Sequence, residues 1–487
     1  MVAMKKENTT RKRVKQGKKD TSLQAAKING STPYDTCGER LTAFGGFLAL
    51  IKFAETLEMQ KVFEEHWISP KRKPVLGCWC MVMGCICLLF IGFQRLGQFV
   101  YVRTDAMLCG YFGVLKLPVV STYWRYLRSL GINQSRSLLK IGAILRNRVW
   151  QMVGLTYKIV HVNIDTTVAT VYGKIEGSRK GHNTKHRGKK GLRPVLLFID
   201  ETREYLCGSQ RRGETMNAKE VARQILESAQ YLPSSVDKVI MRGDGEFISW
   251  EAIVACEMNG YDYIFGNKRC TPAFSEKEWY WSEKYEYNES MYQPMGWEKP
   301  CRFVVMRIRK EQIGDRQLTL FEDDCYAYRA FVTNRKGRPH KVIAEYDGRA
   351  DVENCIGEAQ RAGILAIPSK SFASNRVFFQ MVMLAYNLWR WMNIAANISK
   401  GQQEQSEVTR EKKPKKLETN EMAILRLKML FIAAKIVTHS DRTKVKYSIH
   451  DVRTGTIIDF MKYMDEKRKS KIAWSDTVAA RYYRKTG

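Results

Sequence analysis

Three acids in this chain fall where carboxylates do chemistry. Asp165 ends the β-branched run Ile159, Val160, Val162 and Ile164, Asp244 follows the apolar run Val236 to Met241, and Glu353 lies in a helical stretch opened by Pro339. Hard oxygen ligands suit Mg²⁺, which keeps several waters and completes its shell with substrate phosphate. Two such ions, with Mn²⁺ able to substitute, would place an attacking hydroxyl and stabilise the leaving oxygen of a phosphodiester. Asp165, Asp244 and Glu353 are therefore the candidate catalytic residues and metal ligands. Glu246 is a rival ligand, and Asp200 with Glu201 a weaker pair. Glu358 and Asp351 leave the Glu353 face of an ideal helix by roughly 140° and 160°.

Basic and polar companions follow the same logic. Tyr346, Arg349 and Gln360 stand seven, four and seven residues from Glu353, so one helix would carry all four in a narrow stripe. Asp347 and Gly348 interrupt that helix, and Arg349 with Glu353 also makes an ordinary i, i+4 ion pair. Arg361 is adjacent to Gln360 but projects about 100° away. Between Gly177 and Arg193 lie seven Lys or Arg, two His and four Gly, a basic loop whose cations suit phosphate contacts. Its candidates are Arg179, Lys180, Lys185, Arg187, Lys189 and Lys190, while the Gly-rich setting of His182 and His186 argues against a metal. In VVSTYWRYLRSLG, Ser121 is the expected N-cap of a short helix. Its apolar face is Tyr123, Leu127 and Leu130, leaving Arg125 and Arg128 free to meet DNA as a helix-turn-helix does.

The elements needed to position these residues alternate strand and helix, an α/β pattern with a mixed sheet. At 487 residues the chain exceeds one core. The organisation expected is a basic disordered tail (1–35), a helical DNA-binding domain (36–153), a core in two parts (154–267 and 326–399) split by a β-rich aromatic insertion (268–325), a linker (400–418) and a basic C-terminal unit (419–487). The net charge of +31 and pI near 9.6 call for a polyanionic partner. Cys78, Cys80, Cys85 and Cys87 have one-residue gaps in an apolar run, unlike common zinc sites, and Cys207, Cys256, Cys301, Cys325 and Cys355 are expected in apolar interiors. Val75 to Phe93 has the length of a membrane span, but its three glycines and basic surroundings favour a buried core helix over membrane attachment. No secretory signal is visible, and a reducing cytoplasm is the expected compartment.

The motifs NIDTT, RGD and Y-x2-R-x3-E, in that order, resemble those of bacterial insertion-sequence DDE transposases whose catalytic helix bears a Tyr-Arg-Glu-Lys signature. GHNTKHRGKKGLRP and SFASNRVFFQMVMLAYNLWRW resemble the insertion sequence 1380 family in particular. The resemblance runs from about Leu41 to Asn397 and implies an RNase H-like core with the triad Asp165, Asp244 and Glu353, and a β-rich insertion within the 109-residue separation of the last two. It further implies DNA contacts by Arg349 buttressed by Tyr346, double-stranded partners in the form of terminal inverted repeats and target DNA, a homodimer on DNA, and a place at the nucleoid. Gln360 departs from the signature's Lys. That departure keeps open a catalytically impaired DNA-binding descendant, and a structure-specific nuclease is the other alternative.

Overall fold

The computed structural model describes residues 28–181, 183, 186–267, 272–275, 278–309, 325–399, 420–440 and 442–475. Most of the expected tail, all of the linker, His182 and Lys185 lie outside these residues. Residues 28–40 form a unit of their own, containing one turn near Asn29.

From Leu41 onward, β1 (Leu41–Thr42) leads into six helices: α1 (Phe47–Thr56), α2 (Met59–His66), α3 (Gly77–Ile91), α4 (Ala106–Phe112), α5 (Val120–Arg128) and α6 (Ile132–Val153). Then come β2 (Ile159–Thr166), β3 (Ala169–Thr170), β4 (Arg179–Lys180), β5 (Lys190–Leu192), β6 (Val195–Ile199), β7 (Glu204–Ser209), α7 (Ala218–Ser228), β8 (Lys238–Gly243), α8 (Trp250–Met258) and β9 (Asp262–Asn267). The aromatic segment supplies β10 (Tyr280–Trp281), β11 (Glu286–Tyr292) and β12 (Cys301–Arg309), followed by β13 (Tyr326–Thr333), α9 (Pro339–Asp347), α10 (Asp351–Ala359) and α11 (Phe372–Ser399). The chain closes with α12 (Met422–Met429), β14 (Ala434–His439), β15 (Arg442–Tyr447) and α13 (Thr454–Lys469).

Nine strands form one mixed sheet in the order β10-β11-β12-β13-β9-β8-β2-β6-β7. The pairs β2–β8 and β8–β9 are parallel and the others antiparallel. The aromatic strands thus extend the edge of the main sheet. Side chains alternate across it as the pleat requires. Val160, Val162 and Ile164 of β2 join Val239 and Met241 of β8 in a core covered by Val221 and Ile225 of α7 and Ile253 of α8. The opposite face carries Leu196 and Phe198, packed with α10 and α11, and Ile240 and Ile264, packed with Val342 and Ile343 of α9.

α3 is apolar all round because it is enclosed: Met81 to Ile91 are buried, and Phe90 stacks on Trp389 of α11 with centroids 4.0 Å apart. Among the described residues no single helix is long and apolar enough to cross a membrane; α3 reaches that composition only with Leu96–Val102, to which it is bent by 84°. Cys85 and Cys87 are buried thiols on α3, whereas Cys325 is exposed, contrary to its apolar neighbourhood in sequence. Ser121 does not cap α5. Val119 holds that position without a side-chain bond, and the helix begins one residue before the serine. The remaining face is as expected, with Tyr123, Leu127 and Leu130 buried and Arg125 and Arg128 exposed.

Candidate active site

The strand pairing sets the first two acids side by side. In the parallel register of β2 and β8, Ile164 faces Gly243, so Asp165 and Asp244 leave adjacent strands at the same level, with strands about 4.8 Å apart. Gly243 permits this approach, since a Cβ there would stand 2.9 Å from both Ile164 and Phe265 side-chain atoms. Alternation places Asp165 on the face of His161 and Asn163, and Asp244 on the face of Ile240 and Arg242. One polar stripe therefore runs along the sheet and ends in two carboxylates.

The third acid arrives on a helical arm laid over this stripe. The arm is not one uniform helix. α9 ends at Asp347, a 3₁₀ turn spans Gly348–Ala350, α10 carries Glu353, and a π turn spans Gln360–Ile364 with Gly363 at φ 119°. The chain stays helical through Gly348, so Tyr346, Arg349 and Glu353 still face the stripe. Tyr346 packs on Phe331 with centroids 4.7 Å apart, and Gly266 leaves room for its hydroxyl. Arg349 Nη2 donates to Asp165 Oδ2 at 2.8 Å. Glu353 is exposed, and Gln360 Nε2 donates to Thr167 Oγ1 at 2.8 Å, just beyond Asp165. Arg361 projects away, half exposed, with Glu421 3.5 Å from it.

Charge is unbalanced at this point. Burial pushes the Asp165 carboxyl up to about 6, Arg349 opposes the rise, and the nearby Asp244 and Glu353 carboxylates add to it. Arg349 is held above the ordinary guanidinium range; burial works against this, and Asp165, Tyr346, Asp244 and Glu353 prevail. Its Nε is buried without an acceptor.

The rival acids are otherwise engaged. Glu246 Oε2 accepts from Arg193 Nη2 at 2.6 Å. Asp200 pairs with Arg242 at 2.9 Å and Glu201 with His161 at 2.7 Å, both inside the sheet face. Glu358 is buried against Arg203 and Arg390, and Asp351 lies 3.3 Å from Arg203. Arg193, which also donates to Thr166 Oγ1 at 3.1 Å, is a site neighbour that the sequence did not single out. Its Glu246 partner lies 53 residues away, and no local pattern marks such a pair.

Among the described residues no three His, Cys, Asp or Glu side chains are close enough to hold one ion as they stand. The donors nevertheless fit a hard divalent cation: all are carboxylate oxygens, and one guanidinium offsets only part of their charge. The basic loop folds as a small sheet, β3-β5-β4, that exposes Arg179, Lys180, Arg187, Lys189 and Lys190.

A family model described as "Transposase DDE domain group 1" matches residues 26–468. Among solved structures, the chain is similar to a piggyBac transposase synaptic complex with hairpin DNA, at 8% identity over 87% of this chain and 84% of that one, with a TM-score of 0.40. It is also similar to a Mos1 transposase paired-end complex with left transposon end, at 12% identity over 53% and 66% of the two chains and a TM-score of 0.17. The likeness to the Mos1 strand transfer complex has the same identity and TM-score. No curated protein matches.

Proposed function

The chain belongs to the transposase DDE domain group 1 family, and from that premise we propose that Asp165, Asp244 and Glu353 are its catalytic carboxylates. It is a DNA transposase, an enzyme that cleaves DNA and transfers strands. The observation that carries the assignment of residues is the parallel β2–β8 register, which brings Asp165 beside Asp244 under the arm bearing Glu353.

These three residues would hold divalent ions, Mg²⁺ by preference or Mn²⁺, which supply Lewis-acid stabilisation to the charge developing on phosphodiester oxygens. The chain's own residues prepare the substrate. Arg349 orients Asp165, and in this reading its guanidinium is the contact to a DNA phosphate near the cut. Tyr346 supports the arm, and Gln360 anchors the turn after Asp165 through Thr167. Arg179, Lys180, Arg187, Lys189 and Lys190 offer phosphate contacts, as would Lys185, and Arg125 with Arg128 offers a second set on α5. Arg361, beside Gln360, is the remaining DNA contact in this reading.

The finer reading is an RNase H-like core of the insertion sequence 1380 kind, supported by NIDTT, RGD and the Tyr-Arg-Glu spacing. Terminal inverted repeats and target DNA are the substrates in this reading, and a homodimer at the nucleoid pairs two ends. The test is cleavage by purified protein of a supercoiled plasmid carrying the DNA that borders the gene, with and without Mg²⁺, beside Asp165→Asn. Metal-dependent cuts at the element ends, lost in the variant with DNA binding intact, are expected. Cutting by Asp165→Asn would overturn the residue assignment, and binding without any cut would favour the impaired descendant.

A further inference from the structure

β14 and β15 form a hairpin whose two faces differ in kind. Ile436, Val445 and Tyr447 turn inward and pack against the main core. The alternate positions are Arg442, Lys444 and Lys446 on β15 and Lys435, Val437 and His439 on β14, directly opposed as Lys435↔Lys446, Val437↔Lys444 and His439↔Arg442. Arg442, Lys444 and Lys446 are exposed and have no acidic partner among the described residues. β15 is also the edge of its sheet, whose order is β1-β14-β15.

Lysines on an edge strand discourage sheet-to-sheet pairing, and that accounts for some charge on β15. It leaves Arg442, Lys444 and Lys446 on one exposed face with no acid beside them among the described residues, a face whose electrostatic complement is a polyanion. Spacing supports the same conclusion. Alternate residues on a strand are about 6.7 Å apart, a span that lets neighbouring side chains reach neighbouring phosphates of one DNA strand.

We propose that the β14–β15 ribbon is a sequence-independent docking surface for the phosphate backbone of duplex DNA, with Arg442, Lys444 and Lys446 as its contacts. The partner class rests on the DNA reading above; the surface is new to it. The ribbon belongs to the part of the chain after the linker, so it adds duplex contact remote in sequence from the carboxylates. It grips backbone and leaves base reading to other elements.

The test is equilibrium binding of the full chain and the triple variant R442Q/K444Q/K446Q to a duplex from the DNA bordering the gene and to an unrelated duplex of equal length, across a salt series. Each lost phosphate contact lowers the slope of log affinity against log salt by about 0.9. The expected result is a slope shallower by about 2 to 3 and weaker binding to both duplexes alike. An unchanged slope, or a loss confined to one sequence, overturns the proposal. Thermal midpoints, expected to be no lower in the variant because the three side chains are exposed, separate lost contact from lost fold. Plasmid cutting by the wild type reports the DNA reading separately: if it cuts while the variant binds as the wild type does, the ribbon assignment alone falls.

Discussion

Glu246 lies two residues from Asp244 and has the same chemistry, so what distinguishes them is their partners. Arg193 holds Glu246 at 2.6 Å, and a carboxylate in a charge-assisted bond to a nearly buried guanidinium is not free to turn toward an ion. Glu246→Gln should accordingly keep plasmid cleavage within a few-fold, whereas Asp244→Asn should lose on the order of a hundredfold to a thousandfold. Equal losses in the two variants would make Glu246 a ligand. The crowding of Asp165, Asp244 and Glu353 gives a second expectation. With Asp165 pushed up to about 6 by burial and by its acidic neighbours, a divalent cation offsets repulsion that the fold otherwise bears. Millimolar Mg²⁺ should raise the thermal midpoint of the wild type and leave that of Asp165→Asn nearly unchanged, as ligand linkage requires. A rise of equal size in both proteins would place the ion elsewhere. The acids themselves were legible in the sequence because Asp165 and Asp244 each follow an apolar run that forecasts a strand, and Glu353 lies in a stretch opened by Pro339 that forecasts a helix. Arg193 was not, because its partnership with Glu246 exists only once β6 and β8 lie in one sheet.

The arm from α9 to α10 is fastened to the sheet by buried charge. His161, on the same face of β2 as Asp165, has Nδ1 2.7 Å from Glu201 and Nε2 3.0 Å from Glu345 of α9. Arg335 also binds Glu345, and Arg242 Nη1 donates to the Glu345 carbonyl oxygen at 2.7 Å. Burial pulls the His161 pKa down, but its bonds to Glu201 and Glu345 prevail and the net shift is upward from 6.5. For Glu345, burial favours the neutral form, yet His161 and Arg335 bring the carboxyl from 4.5 down to about 2. The signs set a window. The Glu345 contribution is present above about 4.5 and lost as pH falls toward 2; the His161 contribution is present below about 6.5 and lost as pH rises through its raised folded value. Thermal midpoints should be highest between these limits, and His161→Gln, which cannot titrate, should flatten the alkaline side. An alkaline decline of the same steepness in the variant would assign it to other groups. β2, β8 and α9 could each be read from a local run of residues, and so could the break risk at Gly348. The fastening could not, since Glu345 is 184 residues from His161 and reads locally as one more polar position on an amphipathic helix.

At the scale of the whole chain, one hydrophobic core joins segments that composition separates. Phe47, Phe53 and Leu57 near the start, Trp389 of α11, and Leu430, Phe460 and Met464 beyond the linker belong to one buried cluster. A Cβ on Gly46 would stand 1.7 Å from the Met429 carbonyl oxygen, so the backbones of the two ends touch where side chains cannot fit. β1 pairs with β14, Lys52 binds Asp465 at 2.6 Å, and Arg426 Nε donates to the Phe90 carbonyl oxygen at 2.9 Å. Basic composition after a polar linker reads as an appended unit; burial of Ile432, Ile457 and Phe460 against the first helices makes that part a wall of the core. Fully burying a large apolar side chain is worth roughly 1.5–3 kcal/mol. The six side chains Met429, Leu430, Ile432, Ile457, Phe460 and Met464 therefore supply an amount comparable with the roughly 5–15 kcal/mol that holds a domain folded. Ending the chain after residue 418 should leave Phe47, Phe53 and Leu57 uncovered and give an aggregated or proteolytically labile product with no cooperative melt. The segment 420–487 made alone should likewise fail to fold. Soluble, cooperatively melting behaviour of the shortened chain would show that the first helices and α11 close the core without it, and the basic ribbon would then be a separable attachment rather than part of the wall.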